Sequence, residues 1–80
     1  MPKLKVLGSS DLLAIFTRLG FTVTAQKGSH IKLSRITPLE KQILVVPNHK
    51  ELAKGTIKAI LNQAGRYLSH EELMQHFYTE

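Results

Sequence analysis

Apolar residues recur along this chain with two periods, and the switches between them predict the order of elements. Leu12, Ile15, Phe16 and Leu19 fall on one helical face and predict a helix over 10–19. Ser9-Ser10-Asp11 supplies a hydroxyl N-cap and a first-turn acid, and Gly20 the stop. From Phe21 to Gln26 the period becomes 2, with Phe21, Val23 and Ala25 inward. Ser29 to Ser34 alternates again, with Ile31 and Leu33 on the apolar face and His30 and Lys32 on the polar one. Arg35 to Lys41 reads as a loop around Thr37-Pro38. The near-continuous apolar run Gln42–Val46 predicts a third strand, central or buried on both faces. Gly55-Thr56 opens a second helix carrying Ile57, Ile60, Leu61 and Ala64, with Gly65 capping it. Ser69 and Glu72 form a capping box ahead of a short third helix bearing Leu73, Met74 and Phe77.

The hairpin between the first two strands constrains its own register. Placing Ala25 opposite His30 mixes apolar and polar faces; a slip of one residue sets Ala25 opposite Ile31 and Val23 opposite Leu33. This pairing predicts a three-residue loop, Lys27-Gly28-Ser29, or a bulge with Gly28 at positive φ, and sets His30 opposite Gln26.

The order helix, three strands, helix, short helix (α-β-β-β-α-α) predicts an α+β two-layer fold. A three-stranded antiparallel sheet carries helices on one face, in a single domain over 1–80. The other face is free, and Thr22, Thr24, Gln26, His30 and Lys32 fall on it.

Eighty residues leave room for only a thin core. With no cysteine, no disulfide or thiolate metal site contributes. The expected location is the cytoplasm: no apolar run spans a bilayer, and Met1 to Lys5 lacks the apolar stretch of a signal peptide. The net charge of +5 is uneven. All eleven Lys and Arg lie in residues 1–66 against Asp11, Glu40 and Glu51, whereas 67–80 hold Glu71, Glu72 and Glu80 and no base. A basic body fits a polyanion partner, nucleic acid or an acidic protein surface, and equally fits simple solubility.

Taken alone, His30 is either a general acid–base on a cationic strand face or an ordinary surface histidine. Gly28 and Ser29 serve the turn or meet phosphate oxygens. Lys54-Gly55-Thr56 is either a plain helix start or a phosphate contact, with Lys58 nearby. His49 follows Val46-Pro47-Asn48 and lies near His30 if the third strand pairs with the second. His70 and His76 share no helical face, and no histidine pair has the i, i+4 spacing of a metal site. A phosphate-cradling GxxxxGK[ST] loop and a nucleophile elbow are both absent.

Gly20-Phe21, "KGSH" at 27–30, "VPNHKELAKGTIKAIL" at 46–61 and "QAG" at 63–65 together resemble the HicA toxin family. These are small mRNA interferases of bacterial and archaeal toxin–antitoxin pairs, and the resemblance covers about residues 8–77. It implies a double-stranded-RNA-binding-domain-like fold and a metal-independent endoribonuclease acting on mRNA, with His30 as its essential residue. It also implies a HicB-type antitoxin that covers that histidine. Gly28, Ser29 and His30 match the first motif; Pro47, His49, Gly55 and Thr56 match the second, with structural or RNA-contacting roles. Lys27, Gly28, Ser29, Lys32, Lys54, Gly55 and Thr56 are thus the expected RNA contacts, with no cofactor, metal or membrane involved. The segment Ser34 to Lys41 departs from the family pattern. A non-catalytic RNA-binding module of the same fold is the alternative reading.

Overall fold

Leu12 and Phe16, one turn apart and wholly buried, anchor the first helix against the sheet. The computed structural model describes residues 2–79. Its order is β1 (Lys3–Leu4), α1 (Ser9–Arg18), β2 (Thr22–Lys27), β3 (His30–Ile36), β4 (Lys41–Pro47), α2 (Lys54–Ala64), α3 (His70–Phe77) and β5 (Tyr78–Thr79). The three long strands form one antiparallel sheet in the order β2-β3-β4. The three helices supply the other half of a single core. Ile31 and Leu33 of β3 and Leu44 and Val46 of β4 meet Ile57, Ile60 and Ala64 of α2 and Leu73 and Phe77 of α3. Phe16 joins the two ends of that core, its ring 5.9 Å from Phe21 and 5.7 Å from Phe77. Each of these side chains larger than alanine contributes roughly 1.5–3 kcal/mol by leaving water. The α+β architecture expected from the hydrophobic pattern is therefore the one observed.

Several boundaries and environments differ from expectation. The first helix begins one residue earlier, capped by Gly8, whose N–H donates to the Asp11 carboxylate at 2.8 Å. Ser9 is thereby free to turn inward, where its hydroxyl donates to Asn48 Oδ1 at 3.1 Å. The expected loop 35–41 shrinks to a turn at 37–40, because Arg35 and Gln42 continue the strand pairing. The Arg35 guanidinium donates to Gln42 Oε1 and to the Leu19 carbonyl, each at 2.7 Å, and lies 4.8 Å over the Phe21 ring. One side chain thus closes the α1 C-terminus onto the sheet.

The apolar run of β4 does not make it central. β3 takes that place, and β4 is an edge strand with Val45 38% exposed. The Gln63 side-chain amide occupies its free edge, accepting from the Val45 N–H at 2.8 Å and donating to the Val45 carbonyl at 3.3 Å. A single glutamine stands in for a neighbouring strand at that point. The helix α2 starts at Lys54 rather than Gly55, and Gly65 at its C-cap has an ordinary right-handed φ of −62°. The terminal ribbon β1–β5 lies outside anything the periodicity marked: Lys3 pairs with Thr79 and Leu4 with Tyr78.

Candidate functional site

The β2–β3 hairpin that presents His30 satisfies its register demand in two places. The turn is Gly28-Ser29, with Lys27 opposite His30, and Gly28 has φ 59°. A positive φ at the first turn position alone is the pattern of a two-residue type II′ hairpin. The slip occurs farther up, as a bulge at Thr24 between Val23 and Ala25, and Val23 then stands opposite Leu33 as the apolar pattern requires. The bulge corrects two expectations: His30 lies opposite Lys27 rather than Gln26, and Ala25 joins Lys32 on the outer face while Gln26 shares the side of Ile31. Every residue of β2 is exposed, Val23 and Ala25 included.

Residues directly opposite one another share a face. The outer face therefore carries rows of Thr22, Ser34 and Ile43, then Ala25, Lys32 and Val45, then Lys27, His30 and Pro47 at the hairpin end. Lys41 occupies the far end, opposite Ile36. Lys27, Lys32, Lys41 and His30 are all exposed, and no residue of these rows is acidic. An imidazole set among ammonium groups with no competing carboxylate on its face suits contact with an anion.

Behind His30 three segments are tied together. The Asn48 N–H donates to the Ser29 carbonyl at 2.6 Å, and the Ser9 N–H donates to the His49 carbonyl at 2.9 Å. With the Ser9–Asn48 side-chain bond, these contacts fix the turn, the 47–49 loop and the start of α1 relative to one another. Gly8 permits the approach: a Cβ there would lie 1.9 Å from the Lys50 carbonyl oxygen. Pairing of β4 with β3 brings Pro47 beside His30, and His49 follows two residues on, exposed. The sequence gives no sign of these roles for Gly8 and Asn48, and it marks Ser9 only as part of a helix N-cap. Their roles depend on contacts between distant segments, and only "VPNH" as a motif marked the region.

Lys54, Gly55 and Thr56 form the first turn of α2 and lie apart from this cluster in the chain's surface features. Lys54 lines one shallow depression with Lys3, Lys58 and Tyr78 and another with Lys5 and Glu51. A Cβ at Gly55 would meet nothing within 4 Å, so packing does not require glycine there. Among the described residues, no three His, Cys, Asp or Glu side chains group as metal ligands would. No helix among them is long and apolar enough to cross a membrane.

The structure is thus a small basic α+β domain that sets an exposed histidine on an acid-free sheet face. A family model described as the HicA toxin of bacterial toxin–antitoxin pairs matches residues 9–65, more than half of the chain. The chain belongs to that family and is a toxin of the toxin–antitoxin class, which implies an antitoxin as its partner. No curated protein matches it.

Proposed function

We propose that this toxin is an mRNA interferase, an endoribonuclease in which His30 is the catalytic residue, and that a HicB-type antitoxin neutralises it. The observation that carries the reading is the exposed imidazole of His30 between Lys27 and Pro47, two residues from Lys32, on a face without carboxylates. RNA supplies its own nucleophile. His30 takes the proton of a 2′-hydroxyl, whose oxygen attacks the adjacent phosphorus as the bond from phosphorus to the 5′-oxygen breaks. The leaving oxygen receives a proton from His49 or from water. The products are a 2′,3′-cyclic phosphate and a 5′-hydroxyl. Lys27 and Lys32, with the N–H groups of the Gly28-Ser29 turn, offset the charge that builds on the phosphoryl oxygens. Such a scheme needs no metal.

General acid–base catalysis by one group is worth about 10²–10⁴-fold. His30→Ala is expected to lower cleavage of single-stranded RNA by at least about 10²-fold with chelator present, while binding persists. A 2′-deoxy nucleotide at the scissile position should block cleavage by the parent protein. Cleavage that survives either change overturns the mechanism. Salt-dependent binding with no cleavage by either protein would instead identify a non-catalytic RNA-binding module.

A further inference from the structure

The termini of the chain build a second cationic surface away from His30. β1 and β5 pair antiparallel, with the Lys5 N–H donating to the Phe77 carbonyl at 2.9 Å and the Thr79 hydroxyl to the Lys3 carbonyl at 3.3 Å. This ribbon carries Lys3 and Tyr78 to the side of α2 that bears Lys54 and Lys58. The four residues, with Pro2 and Leu4, line one depression, and no acidic residue lines it. Glu51 belongs to the neighbouring depression, with Lys54. All three lysines are exposed and Tyr78 is half-buried. Ammonium groups gathered at one mouth repel one another, and an anion seated among them relieves that repulsion. Lys3 and Tyr78 both fall outside residues 9–65, the part of the chain that the family model matches.

We infer that Lys3, Lys54 and Lys58, with Tyr78, form a second site for the RNA backbone, separate from the catalytic face. The inference rests on the reading of the toxin as RNA-binding. The chemistry divides between the two residue types: lysines take phosphate, and an aromatic ring offers a base a stacking surface. The ring is what favours RNA over an acidic polypeptide, which would use the lysines alone. The molecule measures 36 × 29 × 18 Å. Even its longest dimension equals only about ten stacked nucleotides at roughly 3.4 Å each, so one strand engaged at His30 reaches a second surface.

The test uses the full chain with Lys3→Gln and Lys58→Gln combined, and the same pair in a His30→Ala background. Binding of a fluorescein-labelled single-stranded oligoribonucleotide is measured against salt, alongside binding of poly-L-glutamate. Each lost phosphate contact removes about 0.7 from the slope of log affinity on log salt. The double variant should lose about 1.4 in slope and bind roughly 20-fold more weakly at about 0.1 M salt. In cleavage, KM should rise and kcat stay unchanged. Tyr78→Leu should weaken RNA binding with no change in slope. Unchanged affinity and slope, or a loss confined to poly-L-glutamate, overturns the site. The His30→Ala background separates the two proposals. Lysine-dependent binding without cleavage by the parent leaves this site standing and removes the catalytic reading, whereas no RNA binding by any variant overturns both.

Discussion

Gly8 and Gly28 hold the turn and loops around His30 in place for different reasons, and substitution should separate them. Gly28 has φ 59° with open space where a Cβ would go, so alanine there meets only backbone strain. A left-handed residue with a side chain costs about 1–2 kcal/mol. Gly8 has an ordinary extended backbone, but its Cβ would lie 1.9 Å from the Lys50 carbonyl oxygen, so the chain itself must move. Overpacking of that kind costs about 1–3 kcal/mol or more. Urea unfolding should therefore rank Gly8→Ala as the more destabilising change, with Gly28→Ala near 1 kcal/mol and Gly28→Asn milder than Gly28→Ala. Equal midpoints for parent and Gly8→Ala would show that the loop yields freely. The role of Gly28 was legible because Lys-Gly between two alternating runs is a local turn signal. The role of Gly8 was not, because nothing near it in sequence announces the Lys50 carbonyl.

Among the elements, α3 shows how far local pattern reaches. Its capping box is formed as the Ser69–Glu72 spacing predicts: the Ser69 hydroxyl accepts from the Glu72 N–H at 3.1 Å, and Glu72 Oε1 accepts from the Ser69 N–H at 3.0 Å. The backbone and hydroxyl hydrogen bonds from Ser69 hold the Glu72 carboxyl below its ordinary range. A lowered folded-state value means the folded chain favours the charged carboxylate. That stability is complete above the unfolded carboxyl range, about 4.3, and disappears as pH falls through the lowered value. Ser69→Ala removes the two bonds made by the hydroxyl, while the backbone N–H still donates to the Glu72 carboxylate, and should cost about 1 kcal/mol near neutrality. The gap in Tm between parent and variant should narrow as the solution is acidified; a gap independent of pH would show that the bond from the hydroxyl to the carboxylate contributes nothing. The strands were less legible than this cap. The run Gln42–Val46 suggested a central strand, yet β4 needs its apolar residues only for one covered face and the approach of α2, with Gln63 closing the edge. Strand order is decided by long-range pairing, which the composition of one segment does not encode. The hairpin slip was legible in amount but not in place, since a bulge at Thr24 and a longer loop satisfy the same apolar pairing of Val23 with Leu33.

At the scale of the whole molecule, the fold divides its labour between the two faces of one sheet. The inner face is committed to the core, and the helices leave the outer face bare, so the His30 surface can change or be covered without disturbing Ile31, Leu33, Leu44 or Val46 behind it. A toxin of this family has an antitoxin to meet. The face with Lys27, Lys32 and Lys41 and no acid favours an antitoxin surface rich in carboxylates, which would also exclude RNA by occupying the same charges. If inhibition works by covering, His30 should lose its solvent contact on binding. His70, exposed on α3 beside Leu61 and Arg66, offers an internal reference away from that face. Modification by diethyl pyrocarbonate, followed residue by residue with mass spectrometry, should slow at least about tenfold at His30 in the complex, as burial within an interface of ordinary size implies. The rate at His70 should stay as in the free toxin. Cleavage abolished while His30 reacts at its free rate would require an antitoxin that acts from elsewhere on the molecule, by displacing RNA from a distant contact.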